Sequence, residues 1–430
     1  MGKDGLRILW KSNAPHVGSG YGVQANSLLA RLARHPDVEE IGIFGYFGIQ
    51  GGMCELPVGV GIPGVSPINM VHYPVAGDIW GNDVVWDHAR HFDADVIITL
   101  LDAWVFKPDY GHGGFLWVAY APVDHEPIPP PVLDRLRRSY QALAYSQHAK
   151  RSFQGAGLPH DYIPHGVETK VLKPLDKGGK REAKKWIGIE DPDTFVIGTV
   201  AAHKGWPARK GFSELFEAFS IFHKRHPDSA LYLHSQVQDS QGNAPNLTDV
   251  AKHFEVADAV RFTTPYVNFL GFSAKEMRDL YNGFDVFCLP SMGEGFGIPI
   301  VEAQACGVPV IVSDWTACAE LCGAGWKIPM GKKYFTQLQS YQAFVDVDAL
   351  ALLMETAYEA WKNPASWESL QRRAREFAMQ YDWDVLVRDK WSPWVEDLWA
   401  KVRMKTIQRP ESSSLAINVS TAGSEVRVGI

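Results

Sequence analysis

Two glutamates lie within and just after a glycine-rich stretch in the second half of the chain. Glu294 lies within the run Ser291-Met292-Gly293-Glu294-Gly295-Phe296-Gly297, and Glu302 follows this run. Glycines let backbone N–H groups approach a ligand closely, and the N-terminus of a following helix carries a partial positive charge that suits a diphosphate. Each carboxylate can accept hydrogen bonds from a pair of hydroxyls. The spacing therefore favours a binding site for a sugar and a ribose joined by a diphosphate. The alternative, which is less favoured, is a plain turn in which Glu302 only complements the helix dipole.

The sequence around this stretch predicts the elements that hold it. Val286–Pro290 has the continuous apolar character of a buried strand, and Pro299 suits the first turn of a helix, where its missing N–H costs nothing. Glu302 is then expected in that first turn. The same alternation of apolar strands and amphipathic helices runs along most of the chain, which predicts a doubly wound α/β architecture. The other predicted strands are Leu6–Trp10, Ile41–Phe47, Val96–Leu101, Phe115–Tyr120, Ala142–Ser146, Phe195–Val200, Ala230–His234, Val260–Phe262 and Val308–Ser313.

A polar segment rich in Gly, Pro and Lys divides the alternating elements into two series. We predict an N-terminal Rossmann-like domain at residues 1–172, a linker at 173–194 and a C-terminal Rossmann-like domain at 195–380. A helix at 381–408 is expected to pack back towards the N-terminal domain, and residues 409–430 to form a loosely held tail. Because ligands of such sheets bind outside the carboxyl ends of the strands, the two domains should face each other across a cleft.

The composition excludes several classes of protein. Hydrophobic residues make up 46% of the 430 residues and charged residues 21%, which is typical of a folded globular protein and excludes bulk disorder. The net charge of −7 argues against a chain-wide nucleic-acid surface, which would be basic. Five cysteines without a CxxC pair indicate a reducing compartment. No apolar run approaches the ~20 residues that span a bilayer, so we expect a cytoplasmic protein without stable membrane insertion.

Further candidate residues follow predicted strands in the N-terminal half. Gly18, Gly20 and Tyr21 belong to a loop that opens the first helix and could lie beside a phosphate or an acceptor. This loop does not satisfy GxGxxG, which disfavours a nicotinamide-dependent dehydrogenase. Asp102 and His125 each come just after a strand, at the sheet edge that should face the cleft.

Five stretches, in order along the chain, resemble motifs of the retaining GT-B glycosyltransferases of glycosyltransferase family 4. They are Tyr162–Glu168, Arg209–Phe219, the pair Glu294 and Glu302 with the loop between them, Ala303–Ser313 and Glu320. The similarity extends over residues 6–400 and is stronger in the C-terminal half, and the run from Ser12 to Trp104 also resembles members encoded by phages and bacteria. The resemblance implies the GT-B fold, with an N-terminal domain on the acceptor side and a C-terminal domain that binds a nucleotide sugar.

The resemblance also implies a role for each residue of the glycine-rich stretch that matches the family's motif. Glu302 would accept hydrogen bonds from the ribose hydroxyls of the nucleotide. Glu294 would contact hydroxyls of the donor sugar. The backbone of Gly295, Phe296 and Gly297 would line the pocket for that sugar.

For the diphosphate, the resemblance implies that Lys210 neutralises the negative charge, a role suited to a compact and mobile ammonium group. Family members usually add an arginine five residues before this lysine, but Gly205 stands at that position in this chain. Lys204, or His203 or Arg209 after a shift of one residue, is the candidate replacement.

The reaction that the resemblance implies is transfer of a hexosyl or related group from a nucleotide-diphosphate sugar to an acceptor, with retention of the anomeric configuration. Glu294, His125 and Asp102 are the catalytic candidates. Cationic side chains and helix N-termini would stabilise the departing diphosphate, so neither a metal ion nor a cofactor is expected.

The acceptor, the base of the donor and the oligomeric state are not readable from the sequence. A glycan, a lipid, a small molecule and, with less support, a DNA base are the open choices for the acceptor. The basic strip Arg135–Arg138 could dock a membrane or a nucleic acid, although a solvated helix face is the expected use of such a strip.

Two other classes of protein also stay open. A GT-B sugar phosphorylase would use inorganic phosphate in place of a nucleotide. A non-enzymic nucleotide-sugar-binding protein should lack one of the two carboxylates, whereas both Glu294 and Glu302 are present.

Overall fold

The computed structural model describes residues 5–108, 110, 115–205, 207–239 and 242–404, which form two α/β domains with parallel sheets. The predicted fold class is therefore confirmed. The tail expected at 409–430 lies outside the described residues. Within these ranges no helix is both long enough and apolar enough to cross a bilayer.

In the N-terminal domain, eight strands form one sheet. The strands are β1 (Leu6–Asn13), β2 (Val38–Tyr46), β3 (Cys54–Val58), β4 (Ile68–Tyr73), β5 (Val96–Leu100), β6 (Leu116–Ala121), β7 (Gln141–Ala144) and β8 (His160–Tyr162). The helices are α1 (Gly20–Leu32), α2 (Val85–Phe92), α3 (Pro130–Leu136) and α4 (Gln147–Gly155). The order across the sheet is β3-β4-β2-β1-β5-β6-β7-β8, and β3 runs antiparallel to β4 while the other pairs are parallel. Because helices cover both faces, Ile8, Leu9 and Trp10 of the central strand are all fully buried.

The C-terminal domain has a six-stranded parallel sheet and a separate hairpin. Its strands are β9 (Phe195–Val200), β10 (Ser229–His234), β11 (Val260–Phe262), β12 (Val286–Leu289), β13 (Val310–Ser313), β14 (Gly325–Ile328), β15 (Met330–Phe335) and β16 (Tyr341–Val345). Its helices are α5 (Lys177–Trp186), α6 (Phe212–His223), α7 (Leu247–His253), α8 (Pro265–Leu270), α9 (Ala274–Asn282), α10 (Ile298–Ala305), α11 (Val347–Trp361) and α12 (Pro364–Ala378). The sheet order is β11-β10-β9-β12-β13-β14, and β15 pairs with β16 in an antiparallel hairpin that we call the clasp hairpin.

Strand order reverses once in each sheet, and such a reversal opens a crevice at the carboxyl ends of the strands. In the N-terminal sheet the reversal lies between β1 and β5, so that the loop with Gly18 and Gly20 and the segment starting at Asp102 flank it. In the C-terminal sheet the reversal lies between β9 and β12, and the glycine-rich stretch follows β12. The topology thus places the candidate residues of each domain at the crevice of that domain's own sheet.

After α12 the chain returns to the N-terminal domain. The returning elements are α13 (Trp383–Leu386), a π-helix (Val387–Trp391) and α14 (Ser392–Arg403). The ring centroid of Trp391 lies 6.2 Å from that of Trp10 and 5.5 Å from that of Tyr120. Trp394 Nε1 donates a hydrogen bond of 3.1 Å to Gln141 Oε1. Large buried aromatic side chains supply much of the contact energy at such interfaces, so this segment ties the two domains together.

Ten residues of the segment predicted as a linker form helix α5, which packs on α9 of the C-terminal domain. The side chain of Asn282 in α9 holds the incoming chain. Its Oδ1 accepts from Leu175 N at 2.8 Å, and its Nδ2 donates to Lys173 O at 3.0 Å. The chain therefore crosses between domains over a shorter stretch than the polar composition of 173–194 predicts.

Helix α10 differs from the sequence prediction by one residue. It begins at Ile298, directly after Gly297, whose φ of 105° lies in the left-handed region that favours glycine. Pro299 lies in the first turn, as predicted. Glu302, however, lies in the second turn rather than the first, because the helix starts one residue before the proline.

Candidate active site

The glycine-rich stretch between β12 and α10 is held in place by the segment before α6. Met292 N donates to Arg209 O at 2.8 Å, and Ser291 Oγ donates to the same carbonyl at 3.1 Å. Glu294 N donates to Thr316 Oγ1 at 2.9 Å. These bonds satisfy the buried polar groups of the loop and fix the direction of the Glu294 side chain.

The Glu294 carboxylate is paired with two cations. Its Oε1 lies 2.5 Å from Lys210 Nζ, and its Oε2 lies 3.3 Å from Arg209 Nη1. Burial acts to raise the pKa of Glu294, but the charges of Arg209 and Lys210 outweigh burial and lower the pKa below its usual value. Glu294 is therefore ionised, and two positive charges stand beside the glycine-rich loop.

Of the three residues considered for the missing family arginine, the structure brings Arg209 into this cluster. His203 is buried, and its Nε2 lies 2.9 Å from Pro245 O. Lys204 is exposed to solvent. Arg209 also reaches the opposite domain, with Nη1 3.6 Å from Asp124 Oδ2.

On the N-terminal side, both ring nitrogens of His125 have partners. Nδ1 lies 2.6 Å from Asp124 Oδ1, and Nε2 lies 2.9 Å from Thr336 Oγ1 of the clasp hairpin. The carbonyl of His125 accepts from His148 Nε2 at 2.8 Å, which holds the backbone of the loop. Burial acts to raise the pKa of Asp124, but the hydrogen bond from His125 and the charge of Arg209 outweigh it and hold the pKa at about 2.

Asp102 interacts electrostatically with Asp124 and Arg209 of this cluster and with two tyrosines. Burial, with a smaller effect from the charge of Asp124, raises the pKa of Asp102 to about 6. The hydroxyls of Tyr21 and Tyr145 lie 3.3 Å apart, and burial together with the charge of Asp102 raises the pKa of Tyr21. Asp102 thus changes protonation near neutral pH inside the cleft.

Because the pKa of Asp102 is higher in the folded protein than in the unfolded chain, its ionisation destabilises the fold. The destabilisation develops as pH rises from the unfolded value near 3.8 through the folded value of about 6. We expect Asp102→Asn to remove this destabilisation and to raise the free energy of unfolding by about 1–2 kcal/mol at pH 8 but not at pH 4. Each pKa unit corresponds to ~1.4 kcal/mol, and the effect is reduced because Asp102 is partly accessible to solvent.

Urea unfolding at the two pH values measures this effect. Asp87→Asn serves as the control, because Asp87 is 72% exposed on α2. An identical change in stability at both pH values would contradict the raised pKa of Asp102.

Glu302 lies on α10, and its Oε2 accepts from Tyr281 Oη at 2.7 Å. Burial raises the pKa of Glu302, and the hydrogen bond from Tyr281 opposes this rise. Phe296 turns its side chain into the core, with its ring centroid 5.3 Å from that of His165. The backbone of the stretch, rather than the Phe296 side chain, is therefore the part that can line a ligand.

Two helix N-termini face each other across the cleft. Ser19 caps α1, accepting from Gly22 N at 3.1 Å, and Gly20 is the first residue of that helix. A β-carbon at Gly20 would lie 3.6 Å from Ile298 Cδ1, and Ile298 is the first residue of α10. The partial positive ends of both helices are therefore close together, and Arg209 and Lys210 pair with Glu294 in the loop that leads into α10, an arrangement suited to an anion such as a diphosphate.

The domains also touch through a carboxylate that caps a helix of the opposite domain. Glu320, in the C-terminal domain, accepts from Gln147 N at 2.6 Å and from His148 N at 3.0 Å, at the start of α4. Burial raises the pKa of Glu320, and these two hydrogen bonds oppose the rise.

Glycine is required where the glycine-rich loop meets the N-terminal domain. A β-carbon at Gly293 would overlap the Asp124 carbonyl oxygen, and one at Gly295 would lie 2.5 Å from Pro122 Cβ. We expect Gly293→Ala to hold the domains apart, because the added methyl group cannot fit unless the Asp124 carbonyl moves away.

Small-angle scattering checks the Gly293→Ala prediction. Gly155→Ala is the matched control, because a β-carbon there would meet no atom within 4 Å outside its own helix backbone and chain neighbours. An unchanged scattering profile would contradict the close packing at Gly293.

The sequence did not indicate Thr336 or Thr316 as residues of the site. Thr336 contacts a histidine that lies 211 positions earlier in the chain, and only the folded hairpin brings the two together. In the described part of the chain, no group of three or more His, Cys, Asp or Glu side chains is arranged to hold a metal ion.

Comparison with known proteins finds a family match in the C-terminal half of the chain. Residues 194–346 match the family described as "Glycosyl transferases group 1". The chain is 32% identical over 165 residues to a D-inositol 3-phosphate glycosyltransferase of Paenarthrobacter aurescens, covering 38% of this chain and 37% of that protein. It is 29% identical over 172 residues to the lipopolysaccharide core biosynthesis mannosyltransferase LpsB of Rhizobium meliloti, covering 39% and 44%. The chain thus spans less than half the length of these curated relatives.

Two solved structures show the same fold across the whole molecule. A sucrose-phosphate synthase from Thermosynechococcus elongatus superposes with a TM-score of 0.67 at 17% identity, covering 93% of this chain and all of that one. Anabaena Alr3699/HepE, solved in complex with UDP-glucose, superposes with a TM-score of 0.64 at 16% identity, covering 92% of this chain and all of that one. These neighbours have the GT-B architecture, which confirms the fold that the sequence motifs imply.

Proposed function

We propose that this protein transfers a sugar from a nucleotide-diphosphate sugar to an acceptor with retention of the anomeric configuration. The chain has the GT-B fold, and its residues 194–346 match the glycosyl transferases group 1 family. The observation that carries the proposal is the position of Arg209 and Lys210. Both cations pair with Glu294, which lies in the loop that leads into α10, and the start of α10 lies close to the start of α1.

In the proposed complex, the diphosphate binds between the two helix N-termini. Lys210 and Arg209 then neutralise the charge that grows on the diphosphate as the bond to the sugar breaks. Preformed charges of this kind, fixed in a site shielded from water, stabilise a transition state more than a ground state. They supply the positive charge that a metal ion would otherwise supply, and the proposed reaction therefore uses no metal.

The two glutamates hold the sugars on either side of the diphosphate. Glu294, ionised and fixed by its loop, accepts hydrogen bonds from hydroxyls of the donor sugar. Glu302 accepts from the ribose, a role in which its bond from Tyr281 keeps the carboxylate oriented. The acceptor attacks on the face of the sugar ring from which the diphosphate leaves, which accounts for retention.

The first experiment measures thermal unfolding of the protein with UDP, GDP, ADP and dTDP. A nucleotide present at ~100 times its dissociation constant should stabilise the protein by about 2.7 kcal/mol and raise the melting temperature by several degrees. Glu302→Ala should abolish most of the rise, whereas Glu217→Ala, an exposed carboxylate on α6, should not.

The nucleotide that binds is then offered as its sugar conjugates, and the anomeric configuration of the product is read by NMR. Inverted product would refute retention. A protein stabilised by inorganic phosphate and by no nucleotide would refute the transferase proposal and favour a sugar phosphorylase.

A further inference from the structure

The tip of the clasp hairpin reaches from the C-terminal domain to the N-terminal loop at 124–127. Glu126 N donates a backbone hydrogen bond of 3.0 Å to Tyr341 O. Thr336 Oγ1 lies 2.9 Å from His125 Nε2. The hairpin therefore contacts the loop that carries both Asp124 and His125.

The tip is internally ordered, so it can hold a partner in one position. Thr336 N donates to Ser340 O at 2.8 Å, and Leu338 N donates to Thr336 Oγ1 at 3.3 Å. Ser340 is fully buried, and its Oγ donates to the carbonyl of Pro127 in the other domain. Few rotamers are available to Thr336 in this setting.

The contact at Thr336 is the first of a continuous chain that crosses the domain interface twice. Thr336 Oγ1 meets His125 Nε2 at 2.9 Å, and His125 Nδ1 meets Asp124 Oδ1 at 2.6 Å. Asp124 Oδ2 lies 3.6 Å from Arg209 Nη1, which in turn lies 3.3 Å from Glu294 Oε2. The Arg209 guanidinium is thus held by a carboxylate of each domain and by the Gly293 carbonyl, to which its Nη1 donates.

The positions of the hydrogens follow from the partners. Asp124 is ionised and can only accept, so Nδ1 of His125 carries a hydrogen. Thr336 Oγ1 lies 2.9 Å from Nε2 and also donates to the Ser340 carbonyl at 3.1 Å, so this hydroxyl joins the ring to the hairpin tip. His125 is 3% exposed and has both ring nitrogens engaged, so in this closed arrangement it acts on its neighbours rather than on a substrate.

We propose that Asp124 is a positioning residue for Arg209, and that His125 and Thr336 hold Asp124 in place. Arg209 comes from the C-terminal domain and Asp124 from the N-terminal domain, so the arginine is fully oriented only when the domains are closed. This inference rests on the proposed function, which assigns Arg209 to the diphosphate. An arginine whose rotamers are restricted before the reaction loses less entropy when it binds the leaving group.

Kinetics of four variants test the role of Asp124. We expect Asp124→Asn to lower kcat/KM by about 100-fold with the larger part of the loss in kcat, because an interaction made in the transition state is weakened. Thr336→Val should lower kcat/KM by about tenfold, the upper range for one hydrogen bond. Thr336→Ser should restore it, and Thr356→Val, whose hydroxyl bonds Leu352 O within α11, should have no effect.

A double-mutant cycle decides whether Asp124 acts through Arg209. In the Arg209→Gln background, Asp124→Asn should lower kcat/KM by less than about twofold, because residues that act as a unit are not additive. Independent effects that multiply to the product of the two single variants would overturn the inference.

A second cycle uses thermal stability without substrate. Thr336→Val and His125→Gln should each lower the melting temperature, and the double variant should lower it by less than the sum of the two. Additive shifts in a protein that binds nucleotide would overturn the inference while leaving the proposed function intact. A wild-type protein that binds no nucleotide but shows the coupling would instead refute the proposed function alone.

Discussion

Glu294→Gln is expected to lower kcat/KM by about 1,000-fold, at the upper end of what one polar group in a preorganised site contributes. The carboxylate performs two tasks at once. It accepts hydrogen bonds from the donor sugar in the proposed complex, and it pairs with Lys210 at 2.5 Å and Arg209 at 3.3 Å. The amide is nearly the same size but carries no charge, so the two cations would repel each other and change their positions.

The same substitution should also destabilise the protein. Breaking a fully buried ion pair costs ~3–5 kcal/mol, but the side chain of Arg209 is 31% exposed and that of Lys210 is 18% exposed, so we expect about 2 kcal/mol. Urea unfolding measures this loss, and steady-state kinetics under conditions where the variant is folded measures turnover. Glu217→Gln is the matched control. A folded Glu294→Gln variant with normal kcat/KM would show that this carboxylate takes no part in transfer.

If Lys210 binds the diphosphate as proposed, Lys210→Met is expected to remove the selectivity for a diphosphate. The thioether fills most of the space of the lysine stem without its charge, so packing beside the glycine-rich loop is largely kept. We expect kcat to fall by about 100-fold or more, because the departing diphosphate loses one of its two side-chain cations. The affinity for a nucleoside diphosphate should fall towards that for the corresponding monophosphate.

Isothermal titration with both nucleotides measures this change. Lys224→Met, an exposed lysine just after α6, is the control for the loss of one positive charge. Lys210→Arg should restore affinity for the diphosphate only in part, because the planar guanidinium is larger than the ammonium and Arg209 already occupies one side of Glu294. Unaltered preference for the diphosphate in Lys210→Met would place the phosphate site elsewhere in the cleft.

The local sequence accounts for the elements that hold the site. Continuous apolar runs predicted the central strands of both sheets, because a parallel strand covered on both faces is apolar along its length. Pro299 predicted the start of α10 to within one residue, since proline suits a first helical turn, where its missing N–H costs nothing. The motif resemblance then singled out Glu294, Glu302 and Lys210.

The clasp hairpin was not predicted, and the reason is physical. Its strands are short, belong to neither large sheet and carry exposed residues such as Lys332 and Lys333, so they lack the apolar pattern of a buried strand. Strands of this kind are stabilised by what they contact. The hairpin contacts a loop of the other domain and the glycine-rich loop of its own domain, and no local pattern specifies either contact.

By itself the sequence determined the two-domain α/β architecture, the glycine-rich loop and the residue types that suit a sugar nucleotide, because backbone geometry and the pattern of apolar residues act over short stretches of chain. Only the tertiary structure decided which cations reach that loop and what holds His125. Choosing Arg209 over Lys204 and His203, and joining Thr336 to Asp124 through His125, depends on distances between residues far apart in sequence. Those distances are set by how the two domains pack against each other.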